Sequence, residues 1–276
     1  MTLLLAALLP TLATGPADAD AVKLDVPKVE YRINEASASR SPWIDANGWQ
    51  ILRAPARRYY YDVPAASVAL AAAEAFMYGA KADIHTDTAG AAMFNRMLQF
   101  LRQIPERGDL PTMANIGVID DGSEETGELM NMLSRRNLLY RIVTAPDPHL
   151  DLNIRLGSKE YPKSEAADPS GLAQKIRAEL TDEKRLLRVY GSEVVIARLV
   201  GTGDRIRIHL LNYANRPVTG LRIRVLGNYP NWQVAAYDKP GLKLEDFQTA
   251  DGATEFTVPA MSTYAVIDLS RRSDSR

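Results

Sequence analysis

Cysteine is absent from the 276 residues, which excludes disulfides, thiolate metal sites and a cysteine nucleophile. Histidine is nearly as scarce. The three are His85, His149 and His209, far apart and without the spacing of a zinc-binding helix. His85, flanked by Asp83 and Asp87, is the best placed of them, whereas His209 falls on an alternating segment and is expected on an exposed strand face. An excess of charge is also missing. Lys and Arg number 33 against 34 Asp and Glu, a formal net charge of −1, so nothing draws the chain to phosphate polymers. No Gly-rich phosphate loop, serine elbow or paired-histidine motif is present. These absences lead us to expect no nucleic-acid partner, no metal and no cofactor.

Long apolar runs stop at one, Leu3 to Ala13, interrupted by Pro10 and Thr11. It falls well short of the roughly 20 residues a bilayer span needs. Small residues follow at Ala17, Ala19 and Ala21, although no Lys or Arg precedes the run. The pattern predicts a signal peptide over 1–21, a mature chain in the periplasm or outside the cell, and no membrane association after signal removal.

What is present has two textures. Residues 22–61 are irregular, with weak strand patterns from Val22 and from Val29. Asp62 is expected to cap an alanine-rich helix that Gly79 ends, Ala82 to His85 reads as a strand, and Thr88 to Gln103 has helical spacing. The run Asn115 to Asp120 is a strand that ends in acid. Ser123 then caps a helix with Glu124 and Glu125 in its first turn, followed by strands at Tyr140 and Leu152 and a helix from Asp168 to about Leu180. This alternation argues for a parallel sheet. After about residue 186 apolar and polar residues alternate, as in Ile206, Ile208 and Leu210, with arginines between them expected on a solvent face. The fold class expected is α/β, a mostly parallel sheet with flanking helices, followed by a small antiparallel β-sandwich.

Two clusters offer chemistry. Asp120, Asp121, Glu124 and Glu125 lie where open parallel sheets bind ligands, and paired carboxylates are the equipment of glycoside hydrolysis. Asp120, Asp121 and Glu124 are the catalytic candidates, although none is assigned the role, and strand-end polarity with helix N-terminal charge is the simpler explanation of them. Trp43, Trp49 and Tyr60, with Arg57, Arg58, Tyr59, Tyr61, Asp45 and Asn47 nearby, can stack on sugar rings or simply pack on the next helix. Trp43, Trp49, Tyr60 and Asp120 are the expected ligand-binding set.

The stretch 66–104, Ala66 to Ala80 and on through Phe100 to Ile104, resembles the last barrel turn of secreted glycoside-hydrolase-like proteins. Ile116 to Ser123 resembles their amidotransferase-like α/β domain, and His209 to Tyr213, Leu221 to Gly227, Thr254 to Pro259 and Tyr264 onward resemble their closing β-sandwich. The resemblance implies a barrel remnant over 22–112, an amidotransferase-like unit over 113–186, a sandwich over 187–270 and a tail over 271–276. Once the expected signal is removed, only some 90 residues precede the α/β unit, against about 250 for a complete barrel, and no thiol is present for amidotransfer. The resemblance therefore implies a non-catalytic, carbohydrate-associated accessory protein that binds glycan or a partner. An active hydrolase drawing two of Asp83, Asp87, Asp120, Asp121, Glu124 and Glu125 is the alternative, and an assembly module, with a homodimer covering exposed edges, is the third reading.

Overall fold

The structure is a computed structural model and describes residues 9–33, 40–105 and 110–272. The first parallel sheet contains β1 (Thr11–Leu12), β2 (Val22–Leu24), β5 (Arg58–Asp62) and β6 (Lys81–His85), in the order β1-β6-β5-β2. A hairpin of β3 (Lys28–Ile33) and β4 (Arg40–Asp45), then the short helix α1 (Gly48–Arg53), are inserted between β2 and β5. Helices α2 (Ala65–Tyr78) and α3 (Thr88–Gln103) cover one face of this sheet.

The alanines of α2 let it approach closely, and Gly79, in the left-handed region at φ 68°, ends it. Its N-cap is Pro64, not Asp62. Valine and proline extend the chain past the aspartate, which stays on the strand as the end of β5 and faces Lys23 instead. Asp87 caps α3 by accepting from the Gly90 amide.

A second parallel sheet has β7 (Ile116–Ile119) between β8 (Tyr140–Val143) and β9 (Leu152–Ile154). Helix α4 (Glu124–Arg135) connects the first two strands, and α5 (Pro169–Lys184) follows the third. Helical geometry in α5 breaks after Leu180, where it is expected to end: Thr181 is non-helical at φ 60°, and a short second turn carries on to Lys184.

Eight antiparallel strands complete the chain: β10 (Leu187–Tyr190), β11 (Val195–Gly201), β12 (Arg205–Asn212), β13 (Val218–Leu226), β14 (Asn231–Ala236), β15 (Glu245–Ala250), β16 (Ala253–Met261) and β17 (Tyr264–Ser270). They form two sheets, β10-β13-β16-β15 and β11-β12-β17-β14, around one core that includes Ile208, Leu210, Ile223, Val225 and Ile267. The whole is mixed α/β, with two parallel sheets and a large antiparallel region.

Alternation in β12 led to the expectation of a solvent-facing His209 and arginine row, and the structure corrects it. The second face of this sheet is covered by α2 and α3, through edge-to-face contacts of Tyr264 with Phe76 and Phe100. His209 is buried, with Nδ1 2.6 Å from the Tyr264 hydroxyl. Burial, with Arg198 and Arg207 nearby, pushes its pKa well below the ordinary histidine value. Arg207 is buried against Asp268 at 2.7 and 2.8 Å and donates to the Pro105 carbonyl. The expectation holds for the outer sheet, where exposed Arg222 pairs with Glu255.

Among the described residues no helix is long and apolar enough to cross a membrane, and no cluster of His, Asp and Glu is arranged to hold a metal. Of the expected signal, residues 1–8 lie outside the described residues, as do 273–276 of the expected tail.

Candidate functional site

Strand geometry places alternate side chains on opposite faces. On β5 and β6, Tyr59, Tyr61, Ala82 and Ile84 face the helices and are buried. Arg58, Tyr60, Asp62, Lys81, Asp83 and His85 therefore share the other face. Parallel register sets them in rows, Arg58 beside Lys81, Tyr60 beside Asp83, and Asp62 beside His85. Thr11 and Lys23 extend the middle row on the flanking strands. A parallel sheet is ordinarily buried on both faces; this one carries a polar second face.

Several of the groups on that face are paired with one another. Lys23 donates to Asp62 at 2.6 Å and lies 6.0 Å from the Tyr60 ring centroid. Arg58 reaches Asp83 at 3.3 Å and Asp18 at 2.5 Å, and Thr11 donates to Asp83. Tyr60 and His85 meet edge to face, with ring centroids 5.7 Å apart. His85 Nε2 is buried without a hydrogen-bond partner, in a structure where most such atoms are satisfied. The face thus carries an aromatic pair and two carboxylates toward the centre and carboxyl ends of the strands, with Lys23 beside them and with Arg58 and Lys81 at the amino ends.

Trp43, Trp49 and Asp120 lie elsewhere, each against a partner on α1 or α4. Arg53 binds Asp120 through two hydrogen bonds, 2.7 and 2.6 Å, and also donates to the Ser123 carbonyl. Arg53 above all, helped by the Gly122 amide, holds the Asp120 carboxyl below its ordinary pKa. Asp121 accepts from the Ser123 hydroxyl and amide and from Thr126, which lowers its pKa to about 2. Glu124 and Glu125 are exposed in the first turn of α4. The Trp43 ring lies 3.5 Å from the Arg135 guanidinium, and Trp49 packs where Gly127 leaves room, since a Cβ there would come within 2.6 Å of the indole. Trp49 thus packs α1 on α4, Asp120 ties α1 to the loop before α4, Trp43 joins β4 to α4, and Tyr60 alone of the expected ligand-binding set lies on the open face. His149 is exposed on a loop and is not near either cluster's contacts.

Sequence reasoning missed Glu74. It is fully buried in α2 and accepts four hydrogen bonds, from the Asn47 amide and side chain at 2.9 and 2.8 Å, Tyr61 at 2.9 Å and Tyr213 at 2.6 Å. Burial raises its pKa even though these donors pull the other way. An acid amid alanines, with apolar residues on every side, is the signal that could have found it.

Neither a protein-family model nor a curated protein matches the chain. Among solved structures it is similar to alpha-L-fucosidase isoenzyme 2 from Paenibacillus thiaminolyticus, with a TM-score of 0.55 and 8% identity over 79% of this chain and 61% of that one. The fold is glycoside-hydrolase-like. A beta-galactosidase from Rahnella sp. R3 is also similar, with a TM-score of 0.43 and 9% identity over 82% of this chain and 62% of that one. The chain thus spans about three fifths of the length of either enzyme.

Proposed function

We propose that the protein is a secreted, carbohydrate-associated accessory protein that binds glycan on the open face of its first parallel sheet and does not hydrolyse it. One observation supports this reading: the Tyr60–His85 ring pair, with Asp62 beside it, lies toward the carboxyl ends of β5 and β6, the ends at which barrel enzymes bind substrate. Aromatic rings offer sugars an apolar platform, and flanking carboxylates and cations offer hydroxyls their partners.

The chemistry argues against turnover. A glycoside hydrolase needs a carboxylic acid held protonated opposite a second carboxylate. Asp120 is clamped by Arg53 and kept ionised, as Asp121 is by Ser123. Glu74 is the carboxyl that burial raises, and it is sealed from solvent and substrate. In this reading residues 1–21 are an export signal, 22–112 a barrel remnant, 113–186 a thiol-free amidotransferase-like layer and 187–270 a sandwich. Carbohydrate is the partner. Nucleic acid and membrane are not, and a homodimer would cover the exposed sheet edges.

Titration calorimetry against a panel of neutral and acidic oligosaccharides tests this, with aryl glycosides assayed alongside. We expect binding that falls at least tenfold in Tyr60→Ala, and no turnover. Turnover that vanishes in Asp62→Asn or Asp83→Asn would make the protein a hydrolase. Absence of binding to every glycan would end the reading.

A further inference from the structure

Arg207 and Arg198 project from the same face of the inner antiparallel sheet, on the neighbouring strands β12 and β11, since both share that face with His209. Arg207 has the Asp268 carboxylate beside it. Among the described residues Arg198 has no acid. It donates to the Met77 carbonyl in the last turn of α2 and to the Thr112 hydroxyl at 3.0 Å, and its Nε is buried without a hydrogen-bond partner. Arg141, Arg185 and Arg224 also leave Nε unanswered, but each is paired with an acid: Asp147, Asp182 and Glu255.

A guanidinium stays ionised in a protein, and an ionised group in a dry interior is costly without a counter-charge. The carbonyl end of α2, the negative pole of that helix, offsets part of the charge of Arg198. The acidic side chains that act on Arg198 are the phenols of Tyr78, Tyr140 and Tyr264. Burial keeps all three neutral by raising their pKa. His209, directly across the strand pair, brings no negative charge.

Arg198 also lines a cavity of about 30 Å³, where α2, the second parallel sheet and the antiparallel region meet. One water needs roughly 10–15 Å³, so a small ion has room. Tyr78, Thr112, Ser134 and Tyr140 supply hydroxyls to the lining, and no carboxylate contributes to it. Ser134 and Tyr140 are engaged with each other at 3.3 Å, and Ser134 donates to the Met130 carbonyl. Thr112, bridged to Val200 on the edge of β11, accepts from Arg198 and keeps its own proton to donate.

We propose that this cavity binds one small monovalent anion of halide size, held by the Arg198 guanidinium and the Thr112 hydroxyl, as the missing counter-charge at the junction of the three regions. The site is separate from the glycan face and stands whether or not that face binds sugar.

The test uses the full chain, with sodium chloride as probe and sodium gluconate, whose anion is too large for the cavity, holding ionic strength constant. Thermal unfolding and the ³⁵Cl resonance linewidth are the two readouts. Replacing gluconate by chloride is expected to raise the midpoint by at least about 2 °C along a saturating curve, and the protein is expected to broaden the chloride line. Arg198→Met is expected to abolish both responses. In gluconate it should be at least as stable as the parent, because an unpaired buried charge is gone, and in chloride that standing should be lost. Thr112→Val keeps the shape of the side chain and the fold, and is expected to weaken the apparent chloride affinity at least threefold. A parent that responds equally to the two salts would overturn the proposal. So would an Arg198→Met deficit of the same size in both, which would make the arginine a cap of α2 and nothing more. If Arg198→Met does not fold, a chloride response unchanged in Thr112→Val overturns the proposal, and a weakened one supports it.

Discussion

Two sets of carboxylates in this molecule sit in opposite settings. Glu74 is dry, central and held by four donors from three parts of the chain. Asp62 and Asp83 lie on an open face, each answered by a cation or hydroxyl that water also reaches. The contrast separates what holds the fold from what is available to a ligand. A buried carboxylate whose partners come from distant segments fixes those segments relative to one another, because loss of any one partner strands the rest in a dry interior. An exposed pair contributes little to stability and can exchange its partner.

Removing the buried acid gives the largest expected effect. Glu74→Ala leaves donors from Tyr61, Tyr213 and Asn47 unsatisfied and opens a void, a loss of about 3–6 kcal/mol in urea-induced unfolding. A loss below about 1 kcal/mol would mean that the knot is not what joins α2 to the antiparallel region. Glu74 also carries a pH signature. Its pKa is raised above 4.5 by burial, so its contribution is full below that value and is lost as pH rises through the folded pKa. Glu74→Gln removes the titration. The stability of the variant relative to the parent should therefore improve as pH rises from about 4 to 8, and a constant difference would contradict the raised pKa.

The joint between α1 and α4 comes next. Gly127→Ala drives a methyl into Trp49 and should cost about 1–3 kcal/mol, even though alanine is the better helix former. Asp120→Asn breaks the two-pronged contact with Arg53 and should cost about 1–2 kcal/mol. Because the pKa of Asp120 is lowered, that contribution is present above the unfolded value of 3.8 and fades as pH falls through the folded value. Neither variant should alter glycan binding. An affinity change in calorimetry with either one would return the acidic turn to the list of ligand sites.

These differences mark how far the sequence could be followed. The capping of α4 by Ser123 and the end of α2 at Gly79 depend on neighbours in the chain, and both are legible there. The inner sheet was harder. Alternation in β12 correctly separates two faces but cannot say that helices cover the second one, so it assigns the buried His209 and Arg207 to water. Trp43 and Trp49 are visible as rings, but their partners Arg135 and Gly127 lie on α4, far along the chain. Tyr213 is 139 positions from Glu74, a separation that no local pattern spans. The open face was hidden for the same reason: only register puts Tyr60 beside Asp83 and Asp62 beside His85.

The smallest expected change in stability is the sharpest test of the comparison. Lys23 is exposed, pairs with Asp62 and lies over the edge of Tyr60. Lys23→Ala should leave the thermal midpoint where it is, because water takes over the solvation of Asp62 at once. It should nevertheless weaken glycan binding about twofold to fourfold, the scale of one exposed charged hydrogen bond, since a cation beside the Tyr60 platform is lost. A lowered midpoint with unchanged binding would invert the assignment: the open face would then be a structural surface, with its charges placed to hold strands together rather than to meet a ligand.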